Sequence, residues 1–122
     1  MDSLVLSKNV MNLLDDKKAG SIISIDVSKV TTLTDYFIIC SGTSDRHRKS
    51  LADDVQELME NEKLEMISKE GYRTANWILL DYGYVVVNIF STDARDKYDL
   101  ERLWSDGSLS ELRKMKKVEE TK

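Results

Sequence analysis

Apolar residues recur at helical spacing near both ends of this chain, and between them strand-like runs lie on either side of one more helical stripe. Residues 3–17 put Leu6, Val10, Leu13 and Leu14 on one stripe, with Asp2 and Ser3 ahead as caps and Lys17 and Lys18 behind. Residues 21–27 alternate Ile23, Ile25 and Val27 with Ser24 and Asp26, which predicts a strand with one wet face or edge. Residues 31–34 are polar and predict a loop. Residues 36–41 are continuously apolar, the mark of a strand buried on both faces. Gly42, Thr43 and Ser44 stop it, and either hydroxyl can cap a helix over residues 45–61 whose stripe is His47, Leu51, Val55, Leu58 and Met59. A short strand is predicted at residues 66–68, a turn at Gly71, and a helical turn over residues 92–96. Leu100, Leu103 and Trp104 then suit a short amphipathic helix. Ser108 with Glu111 forms a capping-box pattern that opens a last weak helix and a frayed, charged tail. The order α-β-β-α-β-β-β-α predicts one α/β domain, a mixed sheet flanked by helices.

The hairpin of residues 77–90 can be registered by hand. Placing Tyr82 and Gly83 in the turn sets Asp81 against Tyr84, Leu80 against Val85, Leu79 against Val86, Ile78 against Val87 and Trp77 against Asn88. One face is then Ile78, Leu80, Val85, Val87 and Ile89, wholly apolar. The other carries Trp77, Leu79, Asp81, Tyr84, Val86, Asn88 and Phe90, a mixture that either takes a covering helix or meets a partner. Tyr82 at the turn and Tyr98 with Asp99 at a helix entry are hard to bury. With Trp77 and Asp81 they compose a candidate partner-binding patch, because aromatic and acidic residues together suit an interface centre. For Trp77 itself, a place under a covering helix is the competing expectation.

Composition narrows the chemistry. The 122 residues suffice for one core, and 33% are charged, with a net charge of −4 from 18 basic and 22 acidic side chains. No apolar run approaches a membrane span and no signal-peptide layout opens the chain, so a cytoplasmic protein is expected. Cys40 is the one cysteine and His47 the one histidine, which excludes a disulfide framework and all but excludes zinc. An acidic balance suits docking on a basic protein better than a broad grip on RNA.

The junction of residues 41–49 breaks a local rule. Arg46 and Arg48 fall in a first helical turn, where cations oppose the dipole by roughly 0.3–1 kcal/mol each when exposed. Gly42, Thr43, Ser44, Arg46 and His47 are therefore a candidate edge for an anion or a partner. Equally, these side chains could point to water or pair with acids such as Asp53. His47 is expected to be a hydrogen-bonded cap residue, since neither Cys40 nor Ser41 has an evident base. No catalytic residue, metal ligand or cofactor site is assigned.

The residues just named also carry a family resemblance. Asp35 through Ser44, Arg46 and His47, Gly71-Tyr72, Trp77, Leu80-Asp81-Tyr82-Gly83, the valines 85–87 and Tyr98-Asp-Leu-Glu-Arg-Leu-Trp104 occur in one order. Over roughly residues 6–106 the chain resembles the Iojap family, the bacterial and organellar ribosomal silencing factors. The resemblance implies a family domain over residues 1–107 and a helical extension over residues 108–122. It also implies a nucleotidyltransferase-like topology, although no strand here carries the paired carboxylates that would hold Mg²⁺. The implied function is non-enzymatic: binding the intersubunit face of the large ribosomal subunit through large-subunit ribosomal protein number fourteen. Such a protein blocks joining of the small subunit and quiets translation when nutrients are short, with little direct RNA contact. A homodimer in the free state is a further expectation. The alternative is a nucleotidyltransferase-like enzyme or anion-binding module that uses the turn at residues 42–48.

Overall fold

The protein is seen in a computed structural model that describes residues 2–29, 32 and 34–97. The elements run α1 (Ser3–Asp16), β1 (Gly20–Asp26), β2 (Tyr36–Gly42), α2 (Asp45–Asn61), β3 (Ser68–Glu70), β4 (Trp77–Asp81), β5 (Val85–Ser91) and α3 (Thr92–Lys97). Their order and kinds are those the hydrophobic pattern predicts. The two long helices start where their caps do: Asp2 Oδ1 accepts the Val5 N–H at 2.9 Å, and Ser44 Oγ accepts the His47 N–H at 3.0 Å. The predicted helix at residues 100–104 and the extension over residues 108–122 lie outside the described residues.

Five strands form one mixed sheet in the order β1-β2-β5-β4-β3. Its centre is the parallel pair β2 and β5, in register from Tyr36 against Val85 to Gly42 against Ser91. All other neighbours are antiparallel. Parallel neighbours need a long crossover, and α2 with the β3–β4 meander provides it. Both central strands are buried on both faces, which is why they read as near-continuous apolar runs. Ile38, Cys40, Val85, Val87 and Ile89 point into a core with Leu6, Val10 and Leu14 of α1 and Leu51, Val55 and Met59 of α2. Phe37, Ile39, Val86 and Phe90 point the other way, into a second cluster with Val27, Trp77, Leu79 and Ala94.

Two details differ from the sequence reading. The third strand begins at Ser68 rather than residue 66, with Ser68 opposite Asp81. The hairpin pairs Trp77 with Phe90 and Asp81 with Val86, two residues from the register expected. Tyr82 donates its N–H to the Val85 carbonyl (3.0 Å), so the turn residues are Gly83 and Tyr84. Gly83 stands at φ +85°, and the Tyr84 N–H returns to the Tyr82 carbonyl at 3.1 Å, a three-residue turn suited to glycine. A two-residue shift keeps every side chain on its face, so the division into two faces stands despite the changed register.

The second cluster contains a polar tie. Asn88 is 0% exposed; its Oδ1 accepts the Trp77 indole N–H at 2.9 Å and its Nδ2 donates to the Ile38 carbonyl at 3.4 Å. Trp77 also packs on Phe90, with centroids 4.6 Å apart and planes at 30°. The amide thus links β4, β5 and β2 across the middle of the sheet. Asn88→Ala should lower unfolding free energy by about 1–3 kcal/mol, because the indole N–H loses this buried acceptor. Urea denaturation followed by tryptophan fluorescence measures it, and a change below a few tenths of a kcal/mol would show that the tie is not stabilising.

Candidate functional site

Two regions carry the residues that the sequence singles out. The first is the junction between β2 and α2, at the carboxyl ends of the parallel strands. Ser44 caps α2, and Asp45 in the first turn suits the positive end of the helix dipole. Arg46 is exposed, whereas Arg48, two residues on and so on the opposite side of the helix, is 5% exposed and points inward. Its Nη1 donates to the Gly42 carbonyl at 2.8 Å, its Nε to the Ala75 carbonyl and its Nη2 to the Asp45 carboxylate. The guanidinium therefore ties the end of β2, the start of α2 and the approach to β4 together. Asp53, the partner considered from sequence, instead accepts the Tyr72 hydroxyl at 3.0 and 3.2 Å.

Gly42 is part of the same arrangement. A Cβ added there would sit 2.5 Å from Arg48 Cγ and 3.3 Å from His47 Nδ1, so the arginine stem occupies the space a side chain would need. His47 joins two elements: Nδ1 accepts the Thr43 N–H at 3.1 Å, and Nε2 lies 3.0 Å from the Lys17 carbonyl at the end of α1. That pattern calls for a ring with its proton on Nε2 and a lone pair on Nδ1. The histidine is a bonded structural residue that ties α1 to the junction. Beside it, Thr43, Arg48, Asn76, Ser91, Thr92, Asp93 and Ala94 line an open groove of about 520 Å³. Asp93 gives it a negative wall, and Arg48 enters it with three of its donors engaged.

The second region is the hairpin. Trp77 is 1% exposed and belongs to the core, which resolves the alternative left open by the sequence in favour of burial. Tyr82 is 7% exposed, contrary to expectation, because the one-residue move of the turn places its ring in the core with Ile78, Leu80 and Val85. Trp77 and Tyr82 lie in opposite clusters, so they do not form one patch. Asp81 is buried, and its Oδ1 accepts the Gly83 N–H at 2.9 Å, holding the turn. Tyr98 and Asp99 lie outside the described residues. What the sequence reading missed is the pair that does project here: Tyr84, 66% exposed, and Ile67, 68% exposed. An apolar residue just before a three-residue strand, and an aromatic one after the only glycine of a hairpin, are the signals that could have found them.

The described residues thus form a mixed α/β domain whose conspicuous polar junction is bonded to itself. Among them no group of three or more His, Cys, Asp or Glu side chains is placed to hold a metal ion. Comparison with known proteins gives the family. The profile described as ribosomal silencing factor during starvation matches residues 1–122, and the chain belongs to that family. The ribosomal silencing factor RsfS of Halalkalibacterium halodurans is 34% identical over 112 residues, which are 92% of this chain and 96% of that one. A crystal structure from Chromobacterium violaceum is similar with a TM-score of 0.82 at 36% identity, covering 86% of this chain and 88% of the other. A mouse protein named mitochondrial assembly of ribosomal large subunit protein 1 is 30% identical over 99 residues, 79% of this chain and 43% of its own.

Two outcomes follow from the geometry. Gly42→Ala should cost about 1–3 kcal/mol by overpacking, and the cost should shrink in an Arg48→Ala background, where the conflicting stem is gone. A double-mutant cycle by urea denaturation checks this; additive costs would show that the two residues do not conflict. Burial pushes the Tyr82 hydroxyl up to about 12, with Glu60 nearby adding to the shift. Its contribution to stability is present below the unfolded-state value near 10 and is lost as pH rises through 12. Tyr82→Phe should therefore flatten the fall in stability between about pH 10 and 12, read by thermal melting across that range. An unchanged alkaline limb would contradict the burial of this hydroxyl.

Proposed function

We propose that this protein represses translation by docking on the large ribosomal subunit at its intersubunit face, through large-subunit ribosomal protein number fourteen, and blocking the small subunit. The observation that carries the reading is the family match over the whole of residues 1–122. The physical character of the chain supports it. A steric blocker needs affinity and bulk, and a net charge of −4 favours a basic protein as its contact over bare RNA. On this reading the protein is not an enzyme, works with ribosomes in the cytoplasm and needs no cofactor. No helix among the described residues is long and apolar enough to cross a membrane.

An anion-binding module at the junction is the second reading, and the groove beside Thr43 and Arg48 is what favours it. Against it stand Asp93 in the lining and the engagement of Arg48 and His47 with backbone carbonyls and amides. The deciding experiment is a sucrose gradient of the purified protein with separated subunits, beside calorimetric titration with nucleoside triphosphates and Mg²⁺. The protein should travel with large subunits, reduce the yield of joined ribosomes and take up no nucleotide. Absence from the large-subunit fractions would end the first reading, and micromolar nucleotide binding lost in Arg48→Met would promote the second.

A further inference from the structure

The exposed apolar residues of the described chain fall in two places: Leu4 and Val5 at the start of α1, and Ile67 with Tyr84 at the hairpin. The second pair is a built feature. Ile67 donates its N–H to the Asp81 carbonyl at 2.7 Å, and its Cδ1 lies 3.2 Å from where a Gly83 Cβ would be. Tyr84 follows Gly83 directly, and its carbonyl accepts the N–H groups of both Asp35 and Tyr36, each at 3.1 Å. Two large apolar side chains, 68% and 66% exposed, are thus held out on a tip whose backbone is pinned from three strands. Little ordering entropy remains to be lost when such a tip binds.

Charge says what fits it. Asp35 flanks Tyr84, and Glu60 lies close enough to raise the neighbouring Tyr82 hydroxyl. The connection from α2 to β3 adds Glu62 and Glu65 against Lys63. Lys69 of β3 is drawn aside over the Tyr72 ring, 3.9 Å from its centroid. An apolar centre with an acidic rim complements an apolar spot on a basic protein surface. The same rim disfavours phosphate, and it disfavours a second copy of this chain, which would bring acid against acid.

We propose that the hairpin tip, Ile67 and Tyr84 with the acids around them, is the surface by which this protein seats on a basic protein of the large subunit. The assignment rests on the large-subunit reading above and adds the face that does the docking. The test uses the full chain with purified large subunits, binding being followed by fluorescence anisotropy at two salt concentrations. Ile67→Ser/Tyr84→Ser should weaken binding at least tenfold with unchanged thermal melting, since both side chains are in water. The control Leu4→Ser/Val5→Ser should bind like the unaltered chain, and added salt should weaken binding in both. Equal binding by the tip variant and the unaltered chain would overturn the assignment while leaving the ribosome reading in place. No binding by the unaltered chain would overturn both. Tip-dependent binding to deproteinised large-subunit RNA, or a dimer in sedimentation that the tip variant abolishes, would overturn the choice of a basic protein as occupant.

Discussion

The parallel pairing of β2 with β5 is the constraint on which the rest of the structure depends. Parallel strands cannot be joined by a tight turn, so the chain must leave β2 at Gly42, cross the sheet through α2, and return by β3 and β4 before β5 can take its place. Arg48 and His47 gather where that crossover begins. Arg48 bonds the Gly42 and Ala75 carbonyls, joining the start of the crossover to the approach to β4. His47 ties in the end of α1, and glycine at 42 leaves room for the arginine stem. Midway along the pair, Asn88 holds β5 to Ile38 of β2 and to Trp77 of β4. The side chains that look most like chemistry thus hold a non-local topology together.

Much of this was legible in the sequence, and what was not has physical reasons. Element order followed from periodicity because α1, α2, β2 and β5 each bury a full face or both. The faces of the hairpin followed too, since a two-residue shift in pairing preserves side-chain parity. The turn lies one residue beyond the place the sequence indicates: glycine at 83 allows either setting, and the choice is made by tertiary contacts of Tyr82 in the core and of the Tyr84 carbonyl with Asp35 and Tyr36. That one residue exchanges which tyrosine is buried, and with it the composition of any surface patch. At the junction the broken dipole rule was visible, but its resolution was not. Whether an arginine points to solvent or back over Gly42 depends on the Ala75 carbonyl, 27 residues along the chain.

Family membership and physical reading meet at a simple division of labour. The junction end of the sheet is internally bonded, and its groove carries an acid where a phosphate would need a cation. The hairpin end is fixed in place, apolar at its tip and acidic around it. A protein that acts by occupying a surface needs a rigid, pre-arranged contact more than a reactive group, and the hairpin end has that character.

Hydrogen–deuterium exchange of the chain, free and bound to large ribosomal subunits, tests the central claim most directly. Exchange should slow on binding at the amides of residues 65–67 and 82–85, with residues 42–49 exchanging at the same rate in both states. Slowed exchange at residues 42–49 with none at the hairpin tip would contradict it, placing the contact at the crossover junction.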